Sequence, residues 1–232
     1  MNIEDSSFIL LRQHRLFRQL TYKECSELNI VSGSMNKKKN EFVYLNSLRN
    51  DRLYFLKKGY IKIGTYDKEG NEKIKEVLSR GDIFGQLSLE GDTGEQEFAQ
   101  VIRSEASICS FTVEDFEKIL MKRPDLAISF TKLVGLKIKG LQSRITSIIY
   151  KDVRARLIDF FIYMAHKERK NKEDELTFKN YLTHAEVGSL VGCTRQTATT
   201  FINKLEEEGL LEFTRQQIRI KSISKLEAMA DS

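Results

Sequence analysis

The chain has 232 residues, enough for two domains of ordinary size, and 41% of them are hydrophobic, which excludes a disordered polymer. No apolar run approaches the ~20 residues that a membrane-spanning helix needs. The opening residues, MNIEDSS, carry acids where a signal peptide needs bases and an apolar core, so a cytoplasmic location with no membrane partner is expected. A net charge of +5 permits an anionic partner without demanding one, because acids and bases nearly balance over residues 151–221.

Residues 6–28 read as helical, with Phe8, Leu11, Leu16, Phe17 and Leu20 on one apolar face. Thr21, with Glu24 three residues on, can cap a second short helix that reaches Leu28. From residue 31 to 112 the period changes. Short runs rich in β-branched and aromatic residues fall at 42–45, 53–56, 60–64, 74–78, 98–102 and 107–111, and Lys58-Gly59, residues 67–71 and residues 79–82 supply turns. Even spacing of short strands points to an antiparallel sandwich or barrel of roughly eight strands.

Thr112 caps a short helix over 113–120, and Pro124, the only proline, suits the first position of the next helix. That helix runs to about Tyr150. Along it Val134, Ile138, Leu141, Ile145 and Ile148 step by four, three, four and three, the spacing of a coiled-coil seam. The stripe fits a homodimer contact, with packing on the chain's own sheet as the alternative. Lys151-Asp152 reads as a hinge. A further helix over 153–170 places Leu157, Phe160, Phe161 and Met164 inward, and residues 167–174 form a charged, solvated end.

Residues 182–211 then read as two helices and a tight turn. Thr183 and Glu186 form a capping box, Gly192 stops the first helix, and Thr194 caps the second. Ala198, Phe201, Ile202 and Leu205 face inward, while Arg195, Gln196, Thr197, Thr199, Thr200, Asn203 and Lys204 face outward. None of the outward residues is bulky and apolar. The layout is a helix-turn-helix whose second helix is free to enter a major groove, with a plain helical hairpin as the alternative. Two strands, 210–213 and 217–221, make a small wing around residues 214–216.

Cys25, Cys109 and Cys193 are far apart, as are His14, His166 and His184, so no metal, haem or iron–sulfur site has its ligand spacing and no cofactor is expected. Each cysteine reads as a small buried apolar residue. No nucleophile–base pair and no phosphate-cradling glycine loop is present, which points away from an enzyme.

This order of elements resembles the bacterial Crp/Fnr family of transcription regulators, relatives of the cyclic-AMP receptor protein. The likeness covers nearly the whole chain. It is carried by residues 53–59 (LYFLKKG), 81–85 (GDIFG), 123–126 (RPDL), 182–188 (LTHAEVG) and 191–197 (VGCTRQT). It implies an α+β protein with a β-roll effector domain over 1–123, a dimerisation helix over 124–150 and a winged helix-turn-helix over 151–232. The implied partners are double-stranded DNA carrying an inverted repeat, a second copy of the chain, and RNA polymerase. A regulatory module that binds a small molecule and no DNA is the alternative.

The resemblance also implies site residues. Arg195 matches a guanine-reading arginine, Thr197 a phosphate-contacting threonine, and Thr194 and Lys204 join them on the DNA face. Gln196 stands where the cyclic-AMP receptor has glutamate, which shifts the expected partner to adenine, and Thr200 stands where that receptor has a second arginine. The effector pocket departs further. The family's Gly-Glu-Leu is here Gly85-Gln86-Leu87, and Glu97-Phe98 occupies the place of the phosphate-binding Arg-Ser pair. A carboxylate there repels a cyclic phosphate. Leu141 and Gln142 replace hydroxyl residues of the long helix. Cyclic AMP and cyclic GMP are therefore disfavoured, with Arg103 the one nearby base that could restore the pocket. An unidentified small molecule, a thiol-based signal, or no effector remain.

Overall fold

In the structure, a computed structural model that describes residues 16–28, 34–45, 52–85, 97–169 and 173–230, the chain divides into two units, 1–138 and 139–232. Phe8 and Leu11 of the expected first helix, and Gln86 and Leu87 of the expected pocket, lie outside the described residues. The first described elements of the first unit are a 3-10 turn, Phe17–Gln19, and a short helix, Tyr22–Glu27 (α1). Thr21 and Glu24 form the expected capping box.

Among the described residues eight strands follow: Ser34–Lys38 (β1), Phe42–Leu45 (β2), Arg52–Lys58 (β3), Ile61–Tyr66 (β4), Glu72–Leu78 (β5), Ile83–Gly85 (β6), Glu97–Val101 (β7) and Glu105–Thr112 (β8). They form two antiparallel four-stranded sheets, ordered β1-β8-β3-β6 and β2-β7-β4-β5. Of these, β2, β3, β4, β5, β7 and β8 match strands expected from the sequence, while β1 and β6 are additional.

Period two explains the unbroken apolar run 53–56 of β3 and the burial of apolar residues on both faces of β8. Tyr54 and Leu56 of β3, with Ala106 and Ile108 of β8, join Ile61, Ile63, Leu78, Phe84, Ala99 and Val101 in a core between the sheets. Leu53 and Phe55, with Cys109 and Phe111, face the other way into a second core against Phe17, Leu20, Cys25, Phe116 and Leu126. Both faces of β3 and β8, the inner strands of the first sheet, are thus buried.

Thr112 caps Val113–Lys122 (α2), accepting from the Asp115 amide. The long helix Pro124–Tyr150 (α3) has the expected bounds and proline at its first position. Arg123, just before it, donates to Glu24 at 2.8 Å and Asp125 at 2.8 Å, which ties α1 to the start of α3.

The second unit packs Val153–Glu168 (α4) against a winged helix-turn-helix. Its elements are Leu176–Lys179 (β9), His184–Val191 (α5), Arg195–Glu207 (α6), Leu211–Phe213 (β10), Gln217–Ile220 (β11) and Ile223–Ala230 (α7), with sheet order β10-β11-β9. The strand β9 and the helix α7 were not expected. On α4 the buried residues are Leu157, Ile158, Phe161, Met164 and Ala165, so Ile158 takes the inward place expected for the half-buried Phe160. The fold is α+β: an antiparallel roll, a long helix, and a C-terminal winged helix-turn-helix.

Candidate nucleic-acid interface and effector site

The helix-turn-helix is fixed by local chemistry first. Thr183 accepts from the Glu186 amide, and Glu186 accepts from the Thr183 amide at 2.7 Å, which satisfies two orphan donors of α5. Gly192 ends α5 with φ of 76°, in the left-handed region. Thr194 caps α6 by accepting from the Thr197 amide at 3.1 Å, and the two hydroxyls lie 2.9 Å apart. Ala198, Ile202 and Leu205 are fully buried.

Arg156, which no local sequence pattern marks, clamps this turn. Its guanidinium donates to Val191 O at 2.8 Å, Gly192 O at 3.2 Å and Lys151 O at 2.8 Å. A cation there meets the unsatisfied carbonyls at the C-terminal ends of α5 and α3. Asp152 caps α4 through the Ala155 amide, and Asp159 accepts from Lys151 Nζ at 2.9 Å and Ser147 Oγ at 3.2 Å. The last turn of α3, the residue pair 151–152 and the helix-turn-helix are therefore one bonded assembly within the second unit.

The wing is tied down by Asn180, which is fully buried. Its Nδ2 donates to Thr214 O at 2.6 Å, its amide to Gln216 O at 2.9 Å, and its Oδ1 accepts from the Leu182 amide at 2.7 Å. Replacing it by alanine strands the Leu182 amide and the Thr214 carbonyl, at about 1–3 kcal/mol for each buried group left unpaired. Asn180→Ala is expected to lower the urea unfolding free energy by about 2–4 kcal/mol at constant slope; a change under about 0.5 kcal/mol would contradict that role. His184 joins the wing to α6: its ring lies 4.8 Å from that of Phe213, and its Nδ1 is 2.9 Å from Thr199 Oγ1. Burial, opposed by Glu206 and aided by Arg195, lowers the His184 pKa.

The outward face of α6 is now specific. Thr194, Arg195, Gln196, Thr200, Asn203 and Lys204 are exposed, while Thr197 and Thr199 are half-buried. Thr199 thus departs from the outward position expected for it, because its hydroxyl is engaged by His184 and by Arg195 O. The Arg195 guanidinium makes no hydrogen bond or ion pair among the described residues. Lys204 Nζ lies 5.3 Å over the Phe201 ring, and Phe201 is half-buried rather than inward.

In the roll, Gly85 has φ of 106°, and a Cβ there would collide with Arg52 O, so the backbone of β6 demands glycine. Glu97 is half-buried at the start of β7. It accepts from the Tyr44 hydroxyl at 2.9 Å and lies 3.5 Å from Lys75 Nζ. Burial, with Glu97 beside it, raises the Tyr44 pKa and keeps the hydroxyl protonated. Phe98 is fully buried, edge-on to Phe42 and 4.8 Å from the Tyr66 ring. Arg103 lies in the turn after β7, about 20 Å of extended chain from Glu97. Leu141 is on α3 in the second unit. Val134, Ile138, Leu141, Ile145 and Ile148 are 38%, 50%, 60%, 57% and 47% exposed, so the chain's own core does not take them up.

Cys25 and Cys109 are buried and Cys193 half-buried. Burial pushes the thiols of Cys109 and Cys193 up, which lowers their thiolate fraction.

A β-roll followed by a long helix and a winged helix-turn-helix is the architecture of a class of DNA-binding regulators. Residues 35–123 match the family model for the cyclic nucleotide-binding domain, and residues 155–229 match that for the Crp-like helix-turn-helix domain. The chain is 25% identical over 171 residues to the global nitrogen regulator of Synechocystis sp., covering 73% of this chain and 76% of the relative. It is 25% identical over 163 residues to the cAMP-activated global transcriptional regulator of Pasteurella multocida, covering 69% and 77%. In fold it is similar to FixK2 from Bradyrhizobium japonicum, with a TM-score of 0.71 at 16% identity over 84% of this chain and 95% of that one. The chain belongs to the Crp/Fnr family of transcription regulators. These relatives are regulators of transcription rather than enzymes. Among the described residues no helix is long and apolar enough to cross a membrane.

Proposed function

We propose that the protein is a cytoplasmic homodimer that binds an inverted repeat in double-stranded DNA and regulates transcription under the control of its β-roll. The domains of this reading are the roll over 1–123, the dimerisation helix over 124–150 and the DNA-binding domain over 151–232, and RNA polymerase is its further partner. The observation that carries it is the face of α6: an exposed Arg195 whose guanidinium makes no hydrogen bond or ion pair among the described residues, flanked by Gln196, Thr200 and Lys204 and set on a capped, clamped helix. In the complex Arg195 pairs with guanine and Gln196 with adenine, and Thr194, Thr197 and Lys204 lie along the phosphates. The seam from Val134 to Ile148 joins the two copies, because five exposed apolar residues at 3.5-residue spacing fit a second identical helix. The bonds from Arg156 and Asp159 carry a shift of α3's last turn to the recognition helix, so the roll sets the spacing of two such helices by population shift.

The effector of this reading is not cyclic AMP, and no resident cofactor belongs to it. Glu97 places a carboxylate, held by Tyr44 and Lys75, where a cyclic phosphate would sit, and Arg103 is too far along the chain to replace it. Titration with cyclic AMP is expected to give no saturable binding at micromolar concentrations; micromolar affinity would overturn this assignment. The function as a whole is tested by selection from randomised duplex DNA. An inverted repeat with half-sites about one helical turn apart is expected; recovery of no preferred sequence would refute it.

A further inference from the structure

Thr200 lies on the exposed face of α6, one turn beyond Gln196. Its hydroxyl does not point outward: Oγ1 donates to Gln196 O at 3.1 Å. Thr199 makes the matching bond to Arg195 O at 2.9 Å, but it is half-buried and also engaged by His184. Of the two threonines, Thr200 alone is both exposed and turned back on its helix. A threonine in that state has its polar end occupied by the preceding turn, and the free end of its side chain is the Cγ2 methyl. In a major groove the group complementary to a methyl is the 5-methyl of thymine, the one apolar feature on any base edge there. Arg195 and Gln196 beside it offer only polar groups, and Thr194, whose hydroxyl is also engaged, sits at the N-cap before the helix, so within α6 Thr200 is the exposed residue that presents a methyl.

We infer that Thr200 is a specificity-determining residue that recognises a thymine in each half-site through methyl–methyl contact, and not a hydroxyl donor to phosphate or base. The assignment rests on α6 being the base-contacting helix. It also separates two roles that sequence alone leaves merged, since a threonine hydroxyl suits phosphate, adenine or cytosine equally well.

The full-length protein is first given its selected operator. Each thymine of the half-site is then replaced by deoxyuridine, which lacks only the 5-methyl, and affinities are measured for wild type, Thr200→Ser and Thr200→Val. Wild type is expected to lose about fourfold in affinity per half-site at one thymine position, the weight of one buried methyl, and about fifteenfold when both half-sites are changed. Thr200→Ser keeps the hydroxyl and its bond to the helix but lacks the methyl, and its thymine-to-uracil ratio at that position falls to about one. Thr200→Val keeps the ratio of wild type, whatever its absolute affinity. No thymine–uracil difference at any position, or a Ser variant that keeps it, overturns the inference while leaving DNA binding intact. Failure to bind any selected sequence overturns the reading of α6 together with it.

Discussion

Arg195→Ala is expected to abolish operator recognition while leaving the fold untouched. A bidentate arginine–guanine pair discriminates by about 1–3 kcal/mol, and a dimer uses two of them, so specific affinity should fall by roughly thirtyfold to twenty-thousandfold. Stability should not follow, because the guanidinium makes no hydrogen bond or ion pair among the described residues and its side chain is exposed. The thermal midpoint is therefore expected to stay within the range of ordinary surface substitutions. Arg195→Lys should behave like the alanine variant at the operator, since an ammonium lacks the fork that meets guanine O6 and N7 together. It should retain more non-specific, salt-sensitive binding, because its charge still attracts phosphate. Fluorescence anisotropy on operator and on scrambled duplex separates the two effects. An alanine variant within threefold of wild type on the operator would show that α6 does not read the site through Arg195.

Ile145→Glu is expected to separate the protomers. Ile145 is 57% exposed in the single chain, so the substitution removes little from the chain's own core. In a paired helix the same position sits in the seam, and two carboxylates would face each other in an apolar contact. Effective penalties for burying an unpaired ion run to several kcal/mol, so the dimer dissociation constant should rise by a factor of about a thousand or more. Sedimentation at micromolar concentration should then report a monomer with an unchanged circular dichroism spectrum. Operator affinity should collapse with it, because a lone half-site contact forfeits the linkage that makes the second one intramolecular. Ile145→Leu keeps volume and polarity and should remain dimeric. An Ile145→Glu protein that still sediments as a dimer would mean that the seam lies elsewhere.

What the sequence revealed and what it concealed divide along a physical line. Signals carried by neighbours in the chain were legible. The capping boxes at Thr21 and Thr183, the left-handed Gly192, Pro124 at the first helical position and the bounds of α3 all rest on residues within one or two turns of each other. Strands with alternating apolar residues were legible for the same reason. Ser34–Lys38 was not: SMNKK has no apolar alternation, and it is a strand because it pairs with β8 from Ser34↔Cys109 to Lys38↔Glu105. Ile83–Gly85 and Leu176–Lys179 are too short to show a period, and their partners across the sheet define them.

In the DNA-binding unit the same rule holds. The exposed positions of α6 followed from its period, but the withdrawal of Thr199 depends on His184, fifteen residues earlier. The clamp by Arg156 joins it to Val191 and Gly192 about 35 residues away, and Asn180 reaches Thr214 across 34. Contacts of that range have no local pattern to announce them, although an arginine placed to meet helix carbonyls is chemically apt. The pocket was legible only by comparison with the family. The structure adds that Glu97 is held by Tyr44 and Lys75, a network no single-sequence period reveals.

The central claim is that two copies of this chain grip one inverted repeat through paired α6 helices, and native mass spectrometry of the protein with its selected operator tests it most directly. The expected result is a complex of two chains per duplex that persists at concentrations where each half-site alone binds weakly. One chain per duplex, or equal occupancy of operator and scrambled DNA, would contradict it.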